Sequence, residues 1–220
     1  MNKVENLKKR TSNSKIGLTE NVAYQLRDKD GNIKSMFQLN SIGRAIIERA
    51  RRGYSPYDSN GNMKTGRRAK LALYGLQIEG ITGNWVTEMR VANGVPTVGK
   101  ALVAGRINGS GTPAAVAWIG VGIGTTAYNA ADTARETERE DDGSAGTDHE
   151  AASVSLVTTD TTNDTAQLVA TFAFTATLAI TESGAFNAAT AGTLLCRQTF
   201  SAINVVSGDS LQVTWKIDVD

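Results

Sequence analysis

Leu211-Gln212-Val213-Thr214-Trp215-Lys216-Ile217-Asp218-Val219 alternates apolar and polar residues without a break. Successive strand side chains point to opposite faces, so Leu211, Val213, Trp215, Ile217 and Val219 share one face and Gln212, Thr214, Lys216 and Asp218 the other. A helix would scatter the apolar residues around its circumference; a half-buried strand collects them. Ser207-Gly208-Asp209 supplies the turn before it. Working back along the chain, residues 116–121, 153–159, 167–177 and 194–205 are also rich in β-branched residues and separated by Gly, Asn, Asp and Ser. No helical crossover lies between these runs, which predicts a β-sandwich, jelly-roll-like, over residues 100–220 and not a doubly wound α/β sheet.

The first half is more mixed. Two short apolar runs, 22–26 and 33–37, flank Arg27-Asp28-Lys29-Asp30-Gly31-Asn32, where Asp30-Gly31 suits a tight turn, so a hairpin is expected. Asn40 or Ser41 can cap a helix from Ile42 to about Arg52, with Gly53 at its stop. Residues 54–70 read as a basic loop, and 71–81 and 85–91 as further strand-like runs. Residues 92–111, ANGVPTVGKALVAGRINGSG, are Gly-rich and predict a junction. The expected organisation is thus a basic N-terminal arm at 1–21, a small α/β anchoring region at 22–99 and the β-sandwich at 100–220. The class is mainly β.

The net charge of +1 hides a split. Residues 1–100 hold 18 Lys and Arg against 8 Asp and Glu, or +10; residues 101–220 hold 5 against 14, or −9. Such a dipole suits a basic half meeting nucleic acid, or two ends meeting complementary protein surfaces. Aromatic residues near the basic clusters (Lys8, Lys9, Arg10; Arg44, Arg49, Arg51, Arg52; Arg67, Arg68, Lys70) are few, and the strand motifs of RNA-reading folds are missing, so nucleic acid is not the expected partner. Residues 132–150 hold eight acidic residues against two basic ones, a density that predicts an exposed loop. No run reaches the ~18 apolar residues of a membrane span, and residues 1–15 lack a signal peptide's apolar core.

Motifs of chemistry fail on spacing. Gly120-Val121-Gly122-Ile123-Gly124-Thr125-Thr126 matches neither the dinucleotide nor the P-loop pattern, and its glycines read as allowing a close backbone approach. Asp28–Asn32 and Asp58–Asn62 open like calcium loops, but Leu39 and Ala69 stand where the closing Glu belongs. Asp141, Asp142, Asp148 and Glu150 could gather a cation only if their loop folds back. His149-Glu150 lacks a second His, and Cys196, within an apolar run, reads as a buried small hydrophobe. One Cys and one His exclude a disulfide framework and the usual zinc constellations. No catalytic, cofactor-binding or metal residue is assigned, and the chain is read as non-enzymatic.

The sub-motifs Gly122-Ile123-Gly124-Thr125-Thr126, Thr181-Glu182-Ser183-Gly184-Ala185-Phe186 and Phe200-Ser201-Ala202-Ile203 through Gly208-Asp209 to Trp215 carry a resemblance. Residues 85–220 resemble a family of tailed-bacteriophage virion structural proteins, and the pattern Leu26–Asn32 through Phe37 and Asn40 is similar to the start of some members. Ala185 departs from the Leu more usual in the Glu-x-Gly-Leu-Phe pattern. The resemblance implies a capsid decoration (cement) or head-fibre protein, made in the host cytoplasm and carried on the virion. Its implied partners are the major capsid protein or other virion proteins and further copies of itself, as a homotrimer. It implies a tail or fibre-base adaptor as the alternative. A host-glycan-binding module, motivated by the acidic loop alone, stands further off. Trp85 and Trp118 are the candidate apolar anchors for a partner.

Overall fold

The computed structural model describes residues 18–45, 83–92, 94–139 and 149–219. Its strands form two antiparallel sheets packed face to face, a β-sandwich, with a small two-stranded sheet beside them. The first sheet is built on β1 (Leu18–Arg27), β12 (Ser210–Val219), β9 (Thr165–Ala173) and β8 (Ser153–Val157), side by side in that order. On the outer side of β1, β2 (Ile33–Lys34) and β5 (Met89–Ala92) pair with different stretches of it. The second sheet runs β11 (Leu194–Val205), β10 (Leu178–Phe186), β6 (Trp118–Gly122), β7 (His149–Ala151). The pair β3 (Met36–Leu39) and β4 (Gly83–Val86) completes the strands of the described residues.

The alternation at the C-terminus decides the packing. Val22, Tyr24 and Leu26 of β1 lie opposite Trp215, Val213 and Leu211, which lie opposite Leu168, Ala170 and Phe172 of β9, and all nine are buried. Cross-strand partners share a face, so these residues form one apolar sheet of side chains. Ile119, Val121, Ala185, Cys196 and Ile203 of the second sheet join them in the same core. One polar contact fixes how the sheets meet: the Tyr24 hydroxyl bonds the Ser183 hydroxyl at 2.7 Å, buried, while the Tyr24 ring packs on Phe200 with centroids 4.1 Å apart.

Several expectations hold. The hairpin turn at Asp28–Asn32 forms, with Gly31 at φ +83° and the Asp28 carboxylate accepting from the Asp30 and Asn32 amides. Asn40 caps the helical stretch 41–45 through the Gly43 amide at 3.0 Å; its expected continuation to Arg52, and residues 54–81, lie outside the described residues. Cys196 is buried, as expected of a small hydrophobe within an apolar run.

Three expectations are corrected. The Gly-rich stretch 92–111 is not a junction: it contains the helix α1 (Thr97–Asn108), stopped by Gly109 at φ +72°. Its glycines serve contact, since a Cβ on Gly99 would stand 2.0 Å from the Leu195 carbonyl oxygen. The division at residue 99 does not separate two sheets, because β1 pairs with β12 over ten residues, and β1 begins at Leu18 instead of leaving an arm to residue 21. Residues 178–186, left between the expected strands, form β10, the strand to which both β11 and β6 pair.

Gly99 separates two opposing effects. Alanine is the better helix former by about 1 kcal/mol, but overpacking a tight contact costs about 1–3 kcal/mol. Contact should win: Gly99→Ala should lower stability in urea denaturation by about 1–2 kcal/mol. A stabilised variant would show that α1 does not press on β11.

Candidate functional site

Among the described residues, a concentrated set of buried ionisable side chains lies on the outer face of the second sheet. Glu182 of β10 follows a register shift between Ile180 and Glu182, a place where strands re-aim side chains. Arg197 of β11 lies opposite Gly184, and so shares a face with Glu182. Both are buried. Arg197 Nε donates to Glu182 Oε2 at 2.8 Å, Nη1 to Asp132 Oδ2 at 2.9 Å and Nη2 to the Thr126 carbonyl at 3.2 Å. The Glu182 carboxylate also accepts the amides of Gly124 (3.1 Å), Glu136 (3.0 Å) and Thr137 (2.8 Å).

These donors all come from residues 124–139, a strap lying across the sheet. The three glycines make its approach possible: a Cβ on Gly122 would stand 2.2 Å from the Thr137 carbonyl, and one on Gly124 2.4 Å from Glu182 Oε1. A Cβ on Gly120 would meet the Arg135 guanidinium at 2.6 Å. The strap closes on itself where Glu136 accepts the Thr126 amide and hydroxyl, both at 2.6 Å. Arg135 donates to the Val121 carbonyl and lies over Phe186, while Arg139 lies 5.4 and 5.2 Å from the ring centroids of Phe172 and Phe174. The loop expected at 132–150 is irregular over 132–139, with Thr133, Ala134, Glu136 and Thr137 exposed as expected, but part of it turns inward. Its two arginines are buried, and Asp132 turns inward to Arg197.

This constellation is built to hold the strap on the sheet. The Glu182 oxygens and the Arg197 guanidinium are engaged within the fold and closed to solvent. Among the described residues, no group of three or more His, Cys, Asp or Glu side chains is arranged to hold a metal ion. Asp141, Asp142 and Asp148, and the loop at 58–62, lie outside the described residues, as do Arg49, Arg51, Arg52, Arg67 and Arg68; Glu150 is exposed on β7 near Arg139. No helix of the described residues is long and apolar enough to cross a membrane.

His149 stacks on Phe186 with centroids 3.9 Å apart, and its Nδ1–H donates to the Ala188 carbonyl at 2.9 Å. Burial holds its pKa below the ordinary 6.5. Of the expected anchors, Trp118 is half-buried, whereas Trp85 on β4 is 50% exposed and packs edge-on against Phe37 at 5.4 Å. The Glu182–Arg197 pair was not singled out in the sequence. The signal lies on one side of the pair: Arg197 follows directly on the apolar run Leu194-Leu195-Cys196, which calls for a buried partner, whereas Glu182 sits in a stretch of turn-like composition.

No family model, curated protein or solved structure matches the chain.

Two measurements test the site. Glu182→Gln turns an amide N–H toward groups that are all donors, and should cost about 3–5 kcal/mol in urea denaturation. Combining it with Arg197→Met should cost less than the sum of the two single changes; strict additivity would deny the coupling. For His149, a folded-state pKa below the unfolded one means that the unfolded chain binds the proton more readily. Its contribution is complete above pH 6.5 and is lost as pH falls below it. The stability difference between pH 7.5 and pH 5.5 should therefore shrink in His149→Gln, an interval above the carboxylate range.

Proposed function

We propose that the protein is a non-enzymatic structural component of a tailed-phage virion, a capsid decoration protein that binds the major capsid protein lattice as a homotrimer. One observation carries the reading: the motifs behind the family resemblance converge on architecture. Gly122 and Gly124 admit the strap, Glu182 fastens it, Phe200 packs on Tyr24, and Trp215 fills the core. A chain whose most distinctive residues hold a rigid β-sandwich together is suited to adhesion. Charge would steer its approach, with the basic residues of the first hundred positions facing acidic capsid surface, and a desolvated aromatic would supply affinity. Trp85, half exposed on its short hairpin, is that aromatic.

Purified protein should bind capsids lacking it, and electron cryo-microscopy of phage particles should show β-sandwich density on the head lattice. Density confined to the neck or tail would move the protein to the adaptor role. No binding at physiological salt and no density anywhere on the particle would overturn the reading. Trp85→Ala should weaken binding by about 2 kcal/mol, roughly thirtyfold, while leaving the fold intact. Neutralising Arg51, Arg52, Arg67 and Arg68 together should weaken binding and flatten its salt dependence; an unchanged salt slope would show that these side chains face only solvent.

A further inference from the structure

The first sheet ends at β8, and this edge departs from the way soluble proteins finish a sheet. Edge strands are ordinarily blunted by charge, proline or a bulge. Ser153-Val154-Ser155-Leu156-Val157 has no charge and no proline, and pairs with β9 in unbroken register. Val154 lies opposite buried Leu168 and Leu156 opposite Ala166, so both point to the core-facing side of the sheet. Yet they are 57% and 64% exposed. The core thus continues past the cover of the second sheet, beside a strand edge that has no strand partner among the described residues.

The surroundings select the occupant. Residues 150–173 carry Glu150, Asp160 and Asp164 and no Lys or Arg. Asp164 stays ionised because the Thr159, Asp160 and Thr161 amides point at its carboxylate, holding its pKa far below the usual range. A second β8, antiparallel about Ser155, would set Glu150 against Asp160 at both ends, so like charge disfavours self-pairing. A basic segment fits.

The chain carries one. Residues 1–17 hold Lys3, Lys8, Lys9, Arg10 and Lys15 against Glu5, with Val4, Leu7 and Ile16 as apolar side chains. They join the fold at Leu18, opposite Val219; Asp218 lies opposite Thr165, and Thr165 opposite Val157. The segment therefore leaves from the same end of the sheet at which β8 finishes. Three strand spacings, about 14 Å, separate β1 from β8, and seventeen extended residues reach about 55 Å.

We propose that residues 1–17 close the β8 edge of their own chain, their apolar side chains covering Val154 and Leu156 and their basic ones meeting Glu150, Asp160 and Asp164. The tether makes the encounter intramolecular, which favours it over a competing copy. It holds whether or not the protein sits on a virion.

Amide hydrogen exchange on the full chain and on the chain lacking residues 1–17 tests it, with the amides of β12 as the control for folding. The outward amides of β8 should exchange at least tenfold more slowly in the full chain at low salt, independently of protein concentration. That protection should vanish on truncation and in the full-length Lys8→Glu, Lys9→Glu, Arg10→Glu variant. Equal exchange with and without residues 1–17 would overturn the proposal. So would protection that rises with concentration, which would give the edge to a second copy.

Discussion

A carboxylate without water must find donors inside the protein, and Glu182 finds them in Arg197 and in three backbone amides of the strap. Apolar packing alone would let a loop slide across a sheet face, because dispersion has little direction. Backbone donors aimed at two oxygen atoms do not permit that: a slip of one residue would leave a buried charge without its partners. The strap's placement then fixes much else. Tyr128 donates to the Val95 carbonyl and Thr97 to Ala130, so the start of α1 is tied to the strap. Arg135 and Arg139, four residues apart, are delivered to Phe186 and to Phe172 and Phe174.

The second constraint is the pairing of β1 with β12, which joins the two ends of the described chain within one sheet. The first sheet is complete only when residues 210–219 exist, so its closure waits on contacts nearly two hundred positions apart. Long-range pairings of this kind slow folding, because the loop entropy is lost before the contact forms. The local hairpin at Asp28–Asn32, held by Asp28, and the salt bridge from Lys34 to Asp209 at 2.5 Å then fasten the first turn of the chain to the last.

Legibility in the sequence followed the range of the interactions. The strict alternation of residues 211–219 made β12 plain, and β11 was read with its actual limits, since each lies between clear turns. The Asp30-Gly31 turn was equally local. What escaped depended on contacts between distant residues. The segment 92–111 looked like a junction because its glycines are many, and only the Leu195 carbonyl against Gly99 explains why a helix needs one there. In β10, Thr181-Glu182-Ser183-Gly184 has the composition of a turn; the strand exists because Gly184 passes under Leu194 and Glu182 has Arg197. The strap was read as solvated for the same reason. Its carboxylates are plain in the sequence, whereas the buried destinations of Arg135 and Arg139 depend on distant strands.

That placement changes how the charge split acts. Of the five basic residues in 101–220, Arg135, Arg139 and Arg197 are buried, and only Arg106 and Lys216 face outward. Buried and paired, the three arginines cancel carboxylates such as Glu182 and Asp132 locally and contribute little to the field outside. Exposed carboxylates without such a partner, Asp160 among them, therefore act with few neighbouring cations to offset them. Because β1 lies within the first sheet, the asymmetry is not between two separable bodies. Described residues of both halves share one sandwich, so their charges act together on any charged partner. Charge steers an approach more than it holds a partner, so affinity on this surface would have to come from desolvating an apolar side chain such as the half-exposed Trp85.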